Sequence, residues 1–251
     1  MSAKREKNVA ATARGPKPAI VTYGRTRIRS LRTRLSALPT QVEVMNPAIS
    51  DIFERQAQSA GYQYIAGVDE VGRGTLAGPV VAAAVIWPVG MPWPAGLNDS
   101  KKISSARREK LATLIQAHAL SYAYGQIEAD EIDRINILEA TKRAMLSAIM
   151  QLTPPADFLL IDALQLKASP LPQRAIIKGD ATVYSIAAAS IIAKTYRDAL
   201  MKKWHTDYPA YGFDKHAGYG TAFHLAALRE HGPCPLHRRS FRGVLPESSG
   251  Q

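Results

Sequence analysis

The sequence predicts an α/β domain built on a mixed β-sheet flanked by helices, with a basic tail in front of it. Two apolar runs bounded by glycine or proline come first, at 62–68 and 80–87, as expected for an antiparallel hairpin. Further apolar runs then alternate with helical segments, which is typical of a sheet that also contains parallel strands. At 251 residues the chain is long enough to bury one full core.

The elements follow in chain order from periodicity, caps and breakers. A short helix at 49–60 leads into the hairpin, and Pro88 to Pro94 is a loop. Ser104 is a polar cap, and Leu111, Leu114 and Ile115 would share one face of the helix that follows it. The remaining predicted elements are helices at 104–119, 137–152, 183–204 and 221–231 and strands at 121–128, 158–161 and 175–177.

The basic tail spans residues 1–48 and holds most of the net charge of +11. Residues 1–40 contain ten Lys or Arg and a single acid, a net charge of +9, whereas the remainder has 22 basic and 20 acidic residues, or +2. The low acid content and scattered prolines predict disorder. Three interpretations stay open: a disordered extension, a targeting segment that resembles a transit peptide, or a misassigned start codon. The tail has no apolar core of a secretory signal.

Composition also narrows the class of protein. The single Cys234 excludes an intrachain disulfide framework and fits a reducing compartment, so we expect a cytoplasmic protein. No apolar run reaches the length of a membrane span, so no membrane partner is expected. We expect residues 49–245 to form the functional domain and residues 246–251 a short tail.

Carboxylates follow three of the predicted strands. In chain order they are Asp69 with Glu70, then Asp162, then Asp180. Adjacent strand ends in one sheet lie about 4.8 Å apart, so these side chains would converge on one pocket. Carboxylates that lie close together repel one another unless cations neutralise them. A ligand set made only of oxygen suits Mg²⁺ or Mn²⁺.

The turn Gly72-Arg73-Gly74 lies directly after the first acidic pair. Glycine lets the backbone approach a ligand closely, and the planar donors of arginine suit phosphate. Two metal ions about 3.5–4 Å apart would activate a water and stabilise the leaving oxygen of a phosphodiester. Acids, glycines and arginine in one segment therefore predict a nuclease.

Other charged residues receive more ordinary interpretations. Asp198 is expected to form an intrahelical ion pair, and Lys101 with Lys102 to contact phosphate. His231-x-x-Cys234-x-x-His237 is expected to be a structural loop and not a zinc site, because it offers only one thiol. Basic clusters that would contact nucleic acid are Lys101, Lys102, Arg107, Arg108 and Lys110; Lys194, Arg197, Lys202 and Lys203; and Arg238, Arg239 and Arg242.

Eight segments in a fixed order carry a family resemblance. They are Asp-Glu-Val-Gly-Arg-Gly at 69–74, Gly-Pro-Val at 78–80, Asp-Ser-Lys-Lys at 99–102, Leu-Ile-Asp at 160–162, Lys-Gly-Asp at 178–180, the alanine-rich 185–194, Gly-Tyr-Gly-Thr at 218–221 and His-Arg-Arg-Ser-Phe at 237–241. Over about residues 62–245 the chain resembles type 2 ribonuclease H, or ribonuclease HII. One departure is Ala163, where the family usually has glycine.

The resemblance implies an RNase H-like fold with a helical C-terminal part. It implies an endoribonuclease that degrades the RNA strand of RNA–DNA hybrids and nicks 5′ of single ribonucleotides in duplex DNA. The products would carry 5′-phosphate and 3′-hydroxyl ends, with Mg²⁺ or Mn²⁺ as cofactor, and we expect a monomer. The implied catalytic and metal-binding residues are Asp69, Glu70, Asp162 and Asp180, and the implied contacts to the ribonucleotide at an RNA–DNA junction are Gly72, Arg73, Gly74 and Tyr219.

Two alternatives to this function stay open. One is a nuclease of the same fold that acts on DNA junctions. The other is a non-catalytic protein that binds nucleic acid through the basic tail, although the presence of all four carboxylates argues against it.

Overall fold

A computed structural model describes residues 49–98 and 100–245, so the predictions made for 1–48 and 246–251 lie outside the described residues. The strands of the described chain are β1 (Ile65–Val71), β2 (Val80–Ile86), β3 (Ser121–Ile127), β4 (Phe158–Asp162) and β5 (Gln173–Ile176). The α-helices are α1 (Ile52–Ser59), α2 (Ser105–His118), α3 (Ala129–Ile135), α4 (Ile137–Met150), α5 (Gly179–Thr182), α6 (Tyr184–Asp207), α7 (Phe213–His216) and α8 (Ala222–His231).

The five strands form one mixed sheet in the order β3-β2-β1-β4-β5. β1 pairs with β2, and β2 with β3, in antiparallel fashion, whereas β4 runs parallel to both β1 and β5. The predicted mixed sheet and its first hairpin are therefore confirmed. Parallel pairing of β1 with β4 places the carboxyl ends of two central strands at the same edge of the sheet.

Helices cover both faces of the sheet. On one face α2 and α6 pack against Ala83 and Val85 of β2, and on the other α4 packs against Ala82 and Ala84. Every residue of β2 is buried. This explains why the strand is a continuous apolar run without polar alternation, as expected for a strand covered on both sides.

Helix α6 crosses directly beneath β1. A Cβ on Gly67 would overlap the backbone carbonyl of Ser185, so glycine permits this close approach of helix and strand. Glu54 of α1 caps the start of α6, because its Oε1 accepts from the backbone N–H of Ser185 at 2.8 Å. The helix then runs below the end of β1, where the acidic residues lie.

The C-terminal part packs against the connection between β1 and β2. A separate apolar cluster joins Leu76 and Ala77 of that connection to residues of α6, α7, α8 and the last described segment. Ala77 also forms an isolated bridge with His237. The loop after the acidic residues is thus held by the end of the chain as well as by α6.

Three local predictions differ from the structure. β1 begins at Ile65, because the backbone N–H groups of Gln63 and Tyr64 bind the carboxylate of Asp157 at 2.8 and 2.9 Å and not a strand partner. The strand also continues through Asp69 and Glu70, which were expected to follow it. Leu114, which was expected to share one face of α2 with Leu111 and Ile115, is 40% exposed, whereas the other two are buried.

Among the described helices, none combines the length and the apolar character that a bilayer crossing requires.

Candidate active site

The site is built where β1 and β4 end. Their parallel pairing stops at Val68 opposite Ile161, and Asp69 and Asp162 are the next residues on the two strands. Asp69 is buried, and its Oδ1 accepts from the backbone N–H of Glu70 at 2.8 Å. Sheet register therefore brings together two carboxylates that are 93 residues apart in the chain.

Asp162 connects this edge to the fourth predicted acid. Its Oδ1 accepts from the backbone N–H of Gly179 at 2.7 Å, which holds the start of α5 against the end of β4. Asp180 lies in the first turn of that helix, and its charge raises the pKa of Asp162. Ala163, the departure from the family pattern, has a φ of 50°, a left-handed conformation that glycine adopts more readily.

The electrostatics of the carboxylates show how crowded they are. Burial, followed by the charges of Glu70 and Asp162, raises the pKa of Asp69 well above its usual range. Burial raises the pKa of Glu70, against the opposing effect of Arg73. Burial also raises the pKa of Asp162, and Lys101 lowers it in part. The ionised site therefore favours an added positive charge.

These residues fit a divalent cation. Glu70 Oε2 is buried and has no hydrogen-bond partner among the described residues, so one carboxylate oxygen is left to bind an ion. The donors are all carboxylate oxygens, which is the set that Mg²⁺ and Mn²⁺ prefer. In the part of the chain described, no three acidic, imidazole or thiol groups already stand in the arrangement of a complete metal site. The charge and the donor chemistry of these carboxylates are therefore what favour a metal ion here.

The Gly72-Arg73-Gly74 turn leaves β1 beside these acids. Gly72 has a φ of 90°, and a Cβ there would overlap the guanidinium of Arg197. Gly74 faces open space. The side chain of Arg73 is 42% exposed, and its Nη1 lies 3.3 Å from Glu70 Oε1. An exposed cation therefore stands at the rim of the acidic pocket.

Arg197 of α6 supports this turn from below. It is fully buried, and its guanidinium donates to the carbonyls of Pro79, Ala77 and Ala217 and to the hydroxyl of Thr75, at 2.8–2.9 Å. Burial lowers the pKa of Arg197 to about 10, which leaves it charged at neutral pH. The side chain joins the β1–β2 connection to the segment before Tyr219.

Arg238 supports the same connection from the C-terminal segment. It is also fully buried and donates to the carbonyls of Gly78 and Arg73 at 2.8–3.0 Å. Arg197 and Arg238 were predicted as members of basic clusters that contact nucleic acid. That prediction is wrong for both side chains, because backbone carbonyls occupy their donors inside the protein.

Tyr219 follows the segment that Arg197 joins to this turn. It follows Gly218, whose φ is 84°, and its side chain is 39% exposed. Lys194 Nζ lies 5.8 Å from the centre of its ring and 2.6 Å from Asp198 Oδ1. The intrahelical ion pair predicted for Asp198 is confirmed, and Arg108 joins it at 3.3 Å.

Lys101 and Lys102 lie in the loop before α2, and both are exposed. Lys101 lies near the site, since its charge offsets part of the rise that burial causes in the pKa of Asp162. Lys102 is the next residue along this loop. The loop thus presents exposed cations, with Lys101 near Asp162.

Sequence reasoning missed the supporting roles of Ser190, Arg197 and Arg238 beneath the site. Burial raises the pKa of Asp69, and the hydroxyl of Ser190 offsets part of that rise. Ser190 Oγ also lies 2.9 Å from Ser100 Oγ. A signal for two of them was present, because Ser190, Arg197 and Met201 recur at helical spacing on the buried face of α6. Arg238 has no such local signal.

Comparison with known proteins places the chain in a family. The family model described as Ribonuclease HII matches residues 66–244. Ribonuclease HII of Geobacillus sp. (strain WCH70) is 57% identical over 192 residues, which cover 76% of this chain and 69% of that protein.

Solved structures agree on the fold. Ribonuclease H2 of Pyrococcus horikoshii OT3 has a TM-score of 0.59 and 25% identity, covering 72% of this chain and 94% of that one. Bst-RNase HIII in complex with Mn²⁺ has a TM-score of 0.53 and 18% identity, covering 82% and 74%, and shows the fold alone. The chain belongs to the ribonuclease HII family, hydrolases that act on the RNA of RNA–DNA hybrids.

Proposed function

We propose that this protein cuts the RNA strand of RNA–DNA hybrids endonucleolytically and also nicks duplex DNA on the 5′ side of a single embedded ribonucleotide. The products would be 5′-phosphate and 3′-hydroxyl ends. The observation that carries this proposal is the placement of a crowded carboxylate pocket directly beside an exposed Arg73 and a glycine turn. The carboxylate pocket suits hydrolysis of a phosphodiester, and the turn with Arg73 suits recognition of the sugar next to it.

Mg²⁺ or Mn²⁺ is the proposed cofactor, held by the carboxylates of Asp69, Glu70, Asp162 and Asp180. The raised pKa values of the first three and the unpartnered Glu70 Oε2 support it. Bst-RNase HIII, a protein of similar fold, binds Mn²⁺. Two bound ions would supply the charge that stabilises the attacking and leaving oxygens of the phosphodiester.

The protein's own cations would position the scissile phosphate. Arg73 would exchange its contact with Glu70 for the phosphate, to which its planar donors are suited. Lys101 and Lys102 would contact neighbouring phosphates. Each of these side chains is exposed, so binding requires no opening of the core.

Recognition of ribose is assigned to the backbone of Gly72 and Gly74 and to the ring of Tyr219. The 2′-hydroxyl both donates and accepts hydrogen bonds, and it is the group that separates RNA from DNA at a given position. Backbone groups at a glycine can reach it without obstruction by a side chain. The exposed ring of Tyr219 would pack against the sugar on the other side.

A duplex DNA with one internal ribonucleotide, incubated with the protein and Mg²⁺, tests the proposal. Nicking on the 5′ side of the ribonucleotide, with no cleavage of an all-DNA duplex, is the expected result. Equal cutting of the all-DNA duplex or of a DNA junction would indicate the alternative nuclease, and binding without any cleavage would indicate a binding protein.

Arg73→Ala should lower kcat/KM on the single-ribonucleotide duplex by about 10–100-fold, because a hydrogen bond to a charged group contributes about 1.5–3 kcal/mol. Its thermal stability should stay within about 0.5 kcal/mol of wild type, since the side chain is exposed. Arg229→Ala, an exposed arginine on α8, is the matched control and should cleave normally. Wild-type cleavage by Arg73→Ala would show that Arg73 takes no part in binding or positioning the substrate.

We also propose that the protein acts as a monomer in the cytoplasm. Burial raises the pKa of the Cys234 thiol, so it is a poor nucleophile and fits a reducing compartment. Light scattering of the purified protein would test the oligomeric state.

A further inference from the structure

The turn that carries Tyr219 is held by buried imidazoles. Three histidines surround it, and aromatic rings of the C-terminal cluster pack around them: His216, His224 and His237 with Tyr211 and Phe213. His224 is fully buried and His237 nearly so. None of these side chains reaches the carboxylates in the contacts described, so the hydrolysis itself leaves their burial unexplained.

Hydrogen bonds run through two of them in one direction. The backbone N–H of Cys234 donates to His237 Nδ1 at 3.0 Å, so His237 carries its proton on Nε2. His237 Nε2 then donates to His224 Nε2 at 3.0 Å, which leaves the proton of His224 on Nδ1. His224 Nδ1 donates to the carbonyl of Tyr219 at 2.9 Å. The backbone N–H of Cys234 can only donate, and the carbonyl of Tyr219 can only accept. These two groups therefore fix the direction of all three hydrogen bonds.

His216 holds the preceding residues in the same manner. The backbone N–H of Gly218 donates to His216 Nδ1 at 3.2 Å, and His216 Nε2 donates to the carbonyl of Tyr211 at 2.8 Å. Its ring stacks on His224 at 4.6 Å between centroids. The backbone on both sides of the Tyr219 Cα is therefore anchored to imidazoles.

Neutral rings are required for this pattern. Protonation of His224 would make its Nε2–H face the Nε2–H of His237, and protonation of His237 would make its Nδ1–H face the backbone N–H of Cys234, each across 3.0 Å. Burial lowers the pKa of His224 and His216, and burial together with His224 lowers the pKa of His237 to about 4. The rings are accordingly neutral at pH 7, as the directional chain demands.

We propose that His237 and His224 are positioning residues. Through this directional chain of hydrogen bonds they hold the backbone of Tyr219 in the position from which its ring can contact ribose. The inference rests on the ribose contact proposed for Tyr219. Both ring nitrogens of His237 are engaged in these hydrogen bonds, so neither is left to bind zinc in this state.

Two substitutions of His224 test its hydrogen bonds to Tyr219 and to His237 one at a time. His224→Asn retains a donor near the position of Nδ1, so the bond to Tyr219 can persist while the bond to His237 is lost. His224→Gln retains a polar group near the position of Nε2 and loses the donor to Tyr219. On the single-ribonucleotide duplex, we expect Gln to lower kcat/KM about tenfold and Asn roughly threefold or less. His231→Asn, an exposed histidine of the same helix, should cleave like wild type.

A double-mutant cycle tests whether His224 acts through Tyr219. His224→Gln should have no further effect on kcat/KM in a Tyr219→Ala background. Thermal unfolding of each variant separates this from a loss of folded protein. Three results would overturn this inference and leave the proposed ribose contact standing. They are equal losses of kcat/KM from His224→Asn and His224→Gln, an additive loss from His224→Gln in the Tyr219→Ala background, or no loss from His224→Gln. Wild-type activity of Tyr219→Ala would instead refute the proposed ribose contact, and the inference with it.

Discussion

Asp69→Asn is expected to abolish cleavage, lowering kcat/KM by about 10³-fold or more, while making the metal-free protein more stable. The carboxylate of Asp69 is buried beside Glu70 and Asp162, which raises its pKa. A raised pKa in the folded state means that the ionised form is disfavoured by folding. That penalty is absent below the ordinary pKa of an aspartate. It grows as the pH rises from there to the raised pKa of the folded protein, and it is complete above that pKa. The neutral amide removes it at pH 7.

The measurement is thermal unfolding in EDTA at pH 7 and again with Mg²⁺. The variant should unfold at least about 2–4 °C above wild type in EDTA, the shift that about 1 kcal/mol produces in a domain of this size. Mg²⁺ should raise the unfolding temperature of wild type and have less effect on the variant, because ligands stabilise the state that binds them. Hybrid binding without metal should remain, since Arg73 and Lys101 are intact.

Asp157→Asn is the matched control for this prediction. Asp157 directly precedes β4, but its carboxylate accepts from two backbone N–H groups and lies outside the acidic cluster. Its neutralisation should lower stability and leave the Mg²⁺ effect unchanged. Cleavage by Asp69→Asn, or a lower unfolding temperature than wild type in EDTA, would refute the role assigned to Asp69.

Arg197→Ala should destabilise the fold by about 3–5 kcal/mol, because several buried acceptors lose their donor and each one left unsatisfied costs about 1–3 kcal/mol. Three carbonyls and the hydroxyl of Thr75 would lose their donor inside the protein. Urea unfolding would measure the loss. Lys203→Ala, an exposed position on the same helix, should stay within about 0.5 kcal/mol of wild type.

Arg197→Lys adds a sharper comparison. Lysine keeps the charge, but its three donors sit on one nitrogen and cannot reach acceptors spread around a planar fork. We expect it to recover only part of the lost stability. Full recovery would mean that charge alone matters at this position, and wild-type stability of Arg197→Ala would show that the hydrogen bonds contribute nothing net.

The carboxylates of the site were predictable because their signal is local. Each follows an apolar run, and strand pairing then brings the runs to one edge, as Asp69 and Asp162 illustrate. The exact start of β1 was not predictable, because it depends on Asp157, more than 90 residues away. Local patterns thus indicate which residues converge, and distant contacts decide where an element begins.

The support beneath the site was harder to predict. A buried arginine looks like any surface arginine until its acceptors are known, and those of Arg197 and Arg238 lie 20 to 165 positions away in the chain. Spacing from Ser190 marked the buried face of α6, which would have favoured burial of Arg197. The directional chain through His224 and His237 depends on tertiary contacts that no local pattern specifies.

The two buried guanidiniums affect how the protein responds to ionic strength. Arg197 and Arg238 keep pKa values of about 10 and 9, so both carry charge at neutral pH beneath the Gly72-Arg73-Gly74 turn. Mobile ions screen exposed charges over about 8 Å at physiological salt, but they screen buried charges much less. Added salt should therefore weaken the attraction of Lys101 and Lys102 for nucleic acid first. Because the two buried charges beneath the turn are screened less, we expect recognition at the turn to weaken less with salt than general affinity for the duplex.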